Sequence, residues 1–241
     1  MRGCEPIGQS KDIILIVPAY NEEANIVRVV DSLRESGYAF VVINDGSTDA
    51  TGALLDELNA PHVDLVENLG IGGAVQTGYK YALAHGYKIG IQFDGDGQHD
   101  VRYVDNLVQP LLNGEADIAV GSRFAGNESE FKSSLARRAG ITLLSFTLKV
   151  ISGKTIKDVT SGFRAANERA MQLFARSYPA DYPEPESLAY AFAHGLTAAE
   201  VPAAMHERSG GESSIAGLDT VYYMVKVSIS ILISGSSKPS R

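Results

Sequence analysis

The sequence predicts an α/β fold, a doubly wound and mostly parallel sheet with helices on both faces, and three observations carry that expectation. Short runs of β-branched and aliphatic residues alternate with segments whose apolar residues recur at helical spacing, the pattern of parallel strands joined by right-handed crossovers. Asp45 and Asp94 stand directly after two of the runs, and in such sheets ligands bind outside the carboxyl ends of the strands. The 241 residues, 44% hydrophobic and 21% charged, suit a single substantial core.

The first run, Ile13 to Val17, is continuous and bounded by Pro18, which suits a strand buried on both faces. Ile26, Val29, Val30 and Leu33 then recur at helical spacing, with Glu22 and Glu23 expected in the opening turn and Gly37 as the stop signal. Phe40 to Ile43 reads as the second strand. Thr48 or Asp49 can cap a helix carrying Leu54, Leu55 and Leu58, and Val63 to Val66 gives a third strand. A glycine-rich turn, Gly70 to Gly73, opens a helix with Ala74, Val75, Tyr81 and Ala82 on one face. Ile89 to Phe93 forms a fourth strand ending at Asp94; Val104, Leu107, Val108 and Leu111 mark the next helix and Ile118 to Val120 the next strand.

After Arg123 the alternation fails. Leu135 to Ile151 and Ser187 to His194 read as helices, without a topology for the stretch between them. The expected organisation is a tail at 1–12, a catalytic domain at 13–215 whose halves are 13–123 and 124–215, an apolar helix at 216–233 and a tail at 234–241.

The net charge is −8, and Lys and Arg form no long stripe, so the footprint of a nucleic-acid binder is missing. An acidic protein that handles an anion needs local positive charge, and a metal ion is a common source. One cysteine, Cys4, excludes an intramolecular disulfide and favours a reducing, cytoplasmic setting. Residues 1–10 have no apolar run behind Arg2, so they do not read as a secretory signal, and the sequon at Asn127 carries no weight in that setting. Val221 to Ile233, interrupted by Lys226, falls short of the roughly 20 residues needed to span a bilayer. It is either a helix packed on the domain or a segment that lies on a membrane or docks a partner.

The sharpest chemical feature is Asp94, Gly95, Asp96, Gly97, Gln98 and His99 directly after a buried strand. Two carboxylates one glycine apart, with a side-chain amide, offer the hard oxygen ligands that Mg²⁺ or Mn²⁺ prefers. An acidic turn that merely ends the strand explains an isolated DGDG equally well. An EF-hand does not fit, because His99 stands where that loop needs glycine. A lone histidine such as His99 is more often solvated or hydrogen bonded than a ligand.

Two more turns follow strands one and two: PAYNEE, from Pro18 to Glu23, and NDGSTD, from Asn44 to Asp49. In this order and spacing PAYNEE, NDGSTD and DGDGQH resemble the signature of glycosyltransferase family 2 on a GT-A fold, which is Rossmann-like. The resemblance runs from about Ile13 to at least Ile215 and is closest to the polyprenyl-phosphate sugar synthases, of which dolichol-phosphate mannose synthase is one. It implies an inverting, metal-dependent transfer of sugar from a nucleotide-diphosphate sugar to a polyprenyl phosphate or a cell-envelope glycan. It also implies a cytoplasmic enzyme, peripheral at the inner face of the membrane, with the C-terminal segment as a route to a membrane partner.

By matching position, the resemblance assigns the donor nucleotide to Pro18, Ala19, Tyr20, Glu22, Asp45, Asn68, Gly73, Asp94 and Gly95. It assigns the metal to Asp96 and Gln98, with His206 as a third ligand and Asp94 facing ribose or metal. Asn44 replaces an aspartate found in many relatives. For Asn68 and Gly70 to Gly78, a helix start with tight helix-to-sheet packing is an equal reading. Arg123, in Gly121-Ser122-Arg123, matches a position near the acceptor, and Asp158 precedes a matching Ser161-Gly162-Phe163-Arg164. A guanidinium suits phosphate through its fork, although an ion pair is a competing reading for Arg123 and Arg164. Arg208 resembles a clamp on the departing diphosphate. If the acceptor is a hydroxyl, Asp158 or Glu186 is the expected base; if it is a lipid phosphate, Arg123 with Arg137 or Arg138 is expected to hold its charge.

A sugar nucleotidyltransferase would need a basic, glycine-rich loop after strand one, which PAYNEE is not. A non-catalytic nucleotide-sugar-binding or membrane-recruitment module would keep the same turns without turnover.

Overall fold

The computed structural model describes residues 11–94, 99–125, 135–180, 182–203, 226–230 and 233. Its centre is a seven-stranded sheet. The strands are β1 (Ile13–Ala19), β2 (Ala39–Asn44), β3 (His62–Asp64), β4 (Ile89–Gln92), β5 (Ile118–Ser122), β6 (Arg164–Asn167) and β7 (Ala198–Pro202). Around them pack α1 (Ile26–Ser36), α2 (Thr51–Glu57), α3 (Gly70–Ala84), α4 (Val104–Leu112), α5 (Leu135–Ser152), α6 (Glu168–Arg176) and α7 (Pro183–Ala193).

The spatial order is β3-β2-β1-β4-β6-β5-β7. β1 pairs in parallel with β2 and β4, β2 with β3, and β5 with β7. β6 runs antiparallel between β4 and β5, so the expected sheet is mostly parallel but has one reversed strand, the fifth of the seven. That strand, Arg-Ala-Ala-Asn, lacks the β-branched run that announces β1 or β2, which is why periodicity passed over it. Its alanines are buried on opposite faces, Ala165 at 0% and Ala166 at 1% exposure, and each joins a different core cluster.

Strand alternation divides the core. Ile13, Leu15 and Val17 face α1, α2 and α4, and Ile14 and Ile16 face α3, α5, α6 and α7, as the period-2 pleat requires. The α1 residues expected from spacing, Ile26, Val29, Val30 and Leu33, are the ones buried, and Gly37 ends the helix at φ 75° with its N–H turned to Arg34 O. The helix begins later than expected, however. Glu22 and Glu23 precede it in a turn, where they are committed to the neighbouring loop. β3 also lies slightly earlier than Val63 to Val66 suggests, and α7 begins at Pro183 rather than at Ser187. Pro183 stands in the first turn of α7, where a missing N–H costs no helix bond.

Candidate functional site

The carboxyl ends of β1, β2 and β4 lie side by side because these strands are adjacent and parallel. PAYNEE and NDGSTD leave neighbouring strands and bond to each other reciprocally. Asp45 N donates to Ala19 O at 2.8 Å, Asn21 N to Ser47 Oγ at 3.0 Å, Glu22 N to Thr51 Oγ1 at 2.9 Å and Glu23 N to Asp49 Oδ2 at 3.1 Å. In return, Thr48 N donates to Asn21 Oδ1 at 2.8 Å and Ala50 N to Glu23 Oε2 at 3.1 Å. Asn21 reaches this geometry at φ 53°, a region asparagine tolerates better than most residues. Burial alone would raise the Asp49 carboxyl, but hydrogen bonds from the Thr51 hydroxyl and N–H and from Glu23 N–H hold it below the ordinary carboxylate value. Asp49 thus holds the turn and accepts from the first N–H of α2. The cap position, however, is Ala50, without a side-chain cap bond, and neither Thr48 nor Asp49 is the cap expected.

The third segment is tied in by Asp45. Its Oδ1 accepts from Leu69 N at 2.8 Å, leaving Oδ2 without a hydrogen bond among the described residues. Asn68 Oδ1 accepts from Gly70 N at 3.0 Å. Gly46, at φ +66°, makes this approach possible, since a Cβ there would lie 2.7 Å from the backbone of Glu67 and Asn68. In α3 the helix-to-sheet packing reading accounts for Gly78, whereas Gly73 faces Leu69 of the loop before it. A Cβ at Gly78 would lie 2.1 Å from Ile16 Cγ2, and one at Gly73 would lie 2.4 Å from Leu69 Cβ. Tyr20 remains 47% exposed at this rim, while Ala19 is buried.

At the end of β4, His99 folds back on Asp94. Asp94 N donates to His99 Nδ1 at 2.9 Å, which places the ring proton on Nε2, 3.3 Å from Asp94 Oδ2. The ring lies between Phe163, at 4.8 Å between centroids, and Phe93, at 5.5 Å. His99 is therefore fixed against Asp94 and the aromatic pair. Gly95, Asp96, Gly97 and Gln98 lie outside the described residues, as do His206 and Arg208. Among the described residues no group of three His, Cys, Asp or Glu could hold a metal ion.

Arg123 and Asp158 sit differently from the expectation of an acceptor-phosphate contact and a base. They are 5% and 0% exposed. Arg123 Nε and Nη2 donate to Asp158 Oδ2 and Oδ1 at 2.8 and 2.7 Å, and Arg123 N also reaches Oδ2 at 3.0 Å. A carboxylate so enclosed has no accessible lone pair for a substrate proton, and its guanidinium is already neutralised. Arg164, 3% exposed, is likewise occupied. It donates to Ser161 O and Val159 O at 2.7 and 2.8 Å, to Ser187 Oγ at 3.0 Å, and to Glu184 O. Both arginines fasten the 158–163 segment, one to the end of β5 and the other to the start of α7.

That fastening brings Gly162 to the β4 end, beside Gln92 and near Glu184, two residues to which the sequence had assigned no role. A Cβ on Gly162 would lie 3.1 and 3.2 Å from the two Asp94 carboxylate oxygens and 3.3 Å from Gln92 Nε2, so only glycine lets this segment pass. Gln92 is 1% exposed, and neither its Nε2 nor its Oε1 has a hydrogen-bond partner among the described residues. Burial raises the Glu184 carboxyl and the Asp94 charge adds to it, while Arg164 and the neighbouring Gln92 amide oppose the shift. The available signal was Gln92 itself, a polar residue inside an otherwise apolar strand.

A buried amide, an oriented carboxylate and three knitted strand-end turns form an edge suited to a ligand rich in hydroxyl groups. The model of glycosyl transferase family 2 matches residues 14–174. A UDP-N-acetylglucosamine–dolichyl-phosphate N-acetylglucosaminyltransferase of Methanococcus voltae is 33% identical over 213 residues, 80% of this chain and 84% of its own. A polyprenol monophosphomannose synthase of Mycolicibacterium smegmatis is 28% identical over 232 residues, 89% of this chain and 84% of its own. The structure of glucosyl-3-phosphoglycerate synthase from Mycobacterium tuberculosis with Mn²⁺, UDP and glucosyl-3-phosphoglycerate superimposes with a TM-score of 0.67 at 25% identity, over 98% of this chain and 84% of that one. The sheet order, the three turns and these likenesses agree, and the chain belongs to glycosyl transferase family 2: it is a glycosyltransferase with a GT-A fold.

Proposed function

We propose that the protein transfers a sugar from a nucleotide-diphosphate sugar to a polyprenyl phosphate, with inversion at the anomeric carbon, through a catalytic unit spanning 13–215. The observation that carries this reading is the interlocking of the β1, β2 and β3 turns beside Asp94. Tyr20 offers an exposed aromatic face to a base, and Pro18 and Ala19 form the floor beside it. Glu22, oriented by Asn25 Nδ2 at 2.9 Å, and Asp45 through Oδ2 accept from the nucleoside. Asn68 and Gly73 flank the same groove, and the Gln92 amide is in place for a sugar hydroxyl.

The donor chemistry suits a hard divalent ion, Mg²⁺ or Mn²⁺. The Asp94 side chain is 31% exposed, and Gly95, Asp96 and Gln98 follow it, with His206 as the further ligand. When bound, such an ion neutralises and polarises the departing diphosphate. Arg208 is placed in this reading to clamp that diphosphate. A lipid phosphate is already ionised, so its attack needs no base, in keeping with the enclosure of Asp158. Arg123 and Asp158 act by holding the acceptor-side segment. The relatives that bear dolichyl-phosphate and polyprenol names support the acceptor, and the Mn²⁺ and UDP of the mycobacterial structure support the donor and metal. The site of action in this reading is the cytoplasmic face of the membrane.

The test is a panel of nucleotide-diphosphate sugars with Mn²⁺, with and without polyprenyl phosphate in detergent, scored for nucleoside-diphosphate release. Release that depends on polyprenyl phosphate, and that falls about a hundredfold in Asp96→Asn, is expected. Release that needs a glycan hydroxyl instead would replace the acceptor, and release indifferent to Asp96→Asn would remove the metal assignment.

A further inference from the structure

The chain from Asp64, the end of β3, to Leu69, just ahead of α3, is fastened to the NDGSTD turn at both ends. At one end Asp45 Oδ1 accepts from Leu69 N at 2.8 Å. At the other, Asp64 Oδ1 accepts from Asn44 Nδ2 at 2.7 Å, and Asn44 O accepts from Leu65 N at 2.9 Å. Asn44 and Asp64 stand opposite each other in the parallel pairing of β2 with β3, so their side chains leave the pleat on the same face. Gly52 of α2 passes over the pair: a Cβ there would lie 3.1 Å from Asn44 Nδ2 and 3.9 Å from Asp64 Oδ1. His62, two residues back on the same strand, lies against the other carboxylate oxygen. Its Nε2 is 3.4 Å from Asp64 Oδ2 and 3.6 Å from Asp56 Oδ1 on α2, and its Nδ1 is 2.9 Å from Ala60 O.

We propose that Asn44 and Asp64 are positioning residues for the donor: the bond between them fixes the direction in which Asp45 presents its second carboxylate oxygen to the nucleoside. The role rests on the donor site proposed above and adds to it two side chains that do not touch the ligand. Asn44 is 6% exposed, so its amide needs a partner within the fold, and Asp64 provides it. The neighbour decides the residue type at position 44. A carboxylate in register with that of Asp64 at this distance could not stay ionised beside it. An amide instead donates to Asp64 through Nδ2 and accepts from Ser47 N through Oδ1 at 3.4 Å. Gly46 N also returns to Asn44 O at 2.9 Å, so Asn44 holds the turn on the far side of Asp45. With Leu69 N on Oδ1, Asp45 keeps Oδ2 for a ligand. The Asp64 side chain is 58% exposed, so truncating it uncovers no core and acts on the turn alone.

The experiment measures binding of the uridine, guanosine, adenosine, cytidine and deoxythymidine diphosphates, each with Mn²⁺, to the full chain by calorimetry. A denaturant melt accompanies each variant, and KM and kcat are taken with the donor that the panel above selects. Asn44→Asp is expected to raise the dissociation constant and the donor KM about tenfold, and Asp64→Ala about fivefold. Turnover at saturating donor should stay within about twofold of wild type, and the Asp64→Ala melt should be unchanged. Asp64→Asn, which keeps an acceptor for the Asn44 amide, should do less than Asp64→Ala. The deciding variant exchanges the pair. Asn44→Asp with Asp64→Asn again sets a donor against an acceptor in register, and should bring the affinity back to within about twofold of wild type. An exchange no better than Asn44→Asp alone, or an Asp64→Ala protein that binds as the wild type does, overturns the proposal. So does a loss of affinity that follows the loss of unfolding free energy in every variant, because the pair would then be structural only. A wild type that binds none of the nucleotides fails at an earlier step: the donor reading falls, and this role with it.

Discussion

The two sides of the site are held by different kinds of interaction. On the β1–β2–β3 side, short polar side chains and backbone N–H groups of PAYNEE and NDGSTD bond to each other at the rim, with Asn21, Glu23, Ser47 and Asp49 all partly or well exposed. On the β5–β6–α7 side, two buried arginines, Arg123 and Arg164, fasten one segment from within. Exposed hydrogen bonds exchange with water and are individually worth about 1 kcal/mol. A buried ion pair is costly to form and far costlier to break from one side. The first arrangement shapes a surface that can adapt to a ligand, and the second sets a wall.

The largest effect should follow from breaking the wall. Asp158→Asn leaves Arg123 as a buried, unneutralised cation and should cost about 3–5 kcal/mol in denaturant unfolding, while Arg123→Met with Asp158→Leu recovers most of the loss. If Asp158→Asn kept its stability and abolished turnover alone, Asp158 would be a group that touches substrate and the contrast would fail.

Gly46→Ala should come next, at about 2 kcal/mol, because the left-handed backbone and the 2.7 Å approach to Glu67 and Asn68 both resist a Cβ. The loss should appear in donor KM as well as in the melting temperature, since the same turn carries Asp45. An effect on stability without any change in donor KM would detach this turn from the nucleotide.

Gln92→Leu should reverse the usual sign. Removing an amide with no partner among the described residues should leave stability unchanged or raise it by about 1 kcal/mol, while substrate KM rises about tenfold, equivalent to about 1.4 kcal/mol. A clear loss of stability would mean that the amide is satisfied within the fold.

The smallest effect is a pH dependence at the rim. The Asp49 carboxyl is lowered from 3.8 in the fold, so its contribution to stability is present above that value and disappears as pH falls through the lowered one. Asp49→Asn should therefore be slightly less stable than wild type near neutrality, with the gap closing below pH 3.8. A gap that persists in acid would show that charge is not what Asp49 contributes.

Much of the rim was legible because its signals are local. β1 and β2 are unbroken apolar runs, α1 buries the four residues its spacing named, and Gly37 stops it. Asp45 and Asp94 come to one edge by parallel pairing alone, which alternation already implied. The wall was not legible. β6 is two buried alanines flanked by polar residues, and nothing in a four-residue stretch says that it runs antiparallel between β4 and β5. Arg123 and Asp158 are 35 positions apart, and Arg164 meets Glu184 and Ser187 across 20 and 23. Residue type suggested phosphate contact or catalysis for these side chains, and only their burial shows each guanidinium already engaged.

By itself, the sequence determined the doubly wound sheet, the family and the order of the turns, because helical and strand periods and motif spacing are written along the chain. Tertiary structure decided which charged groups face the cleft and which face each other. It also decided that Gly162 and the unsatisfied amide of Gln92 come to Asp94, and that Asp64 comes to Asn44. Those outcomes depend on how desolvation, ion pairing and close approach balance among residues distant in sequence, and no local pattern encodes that balance.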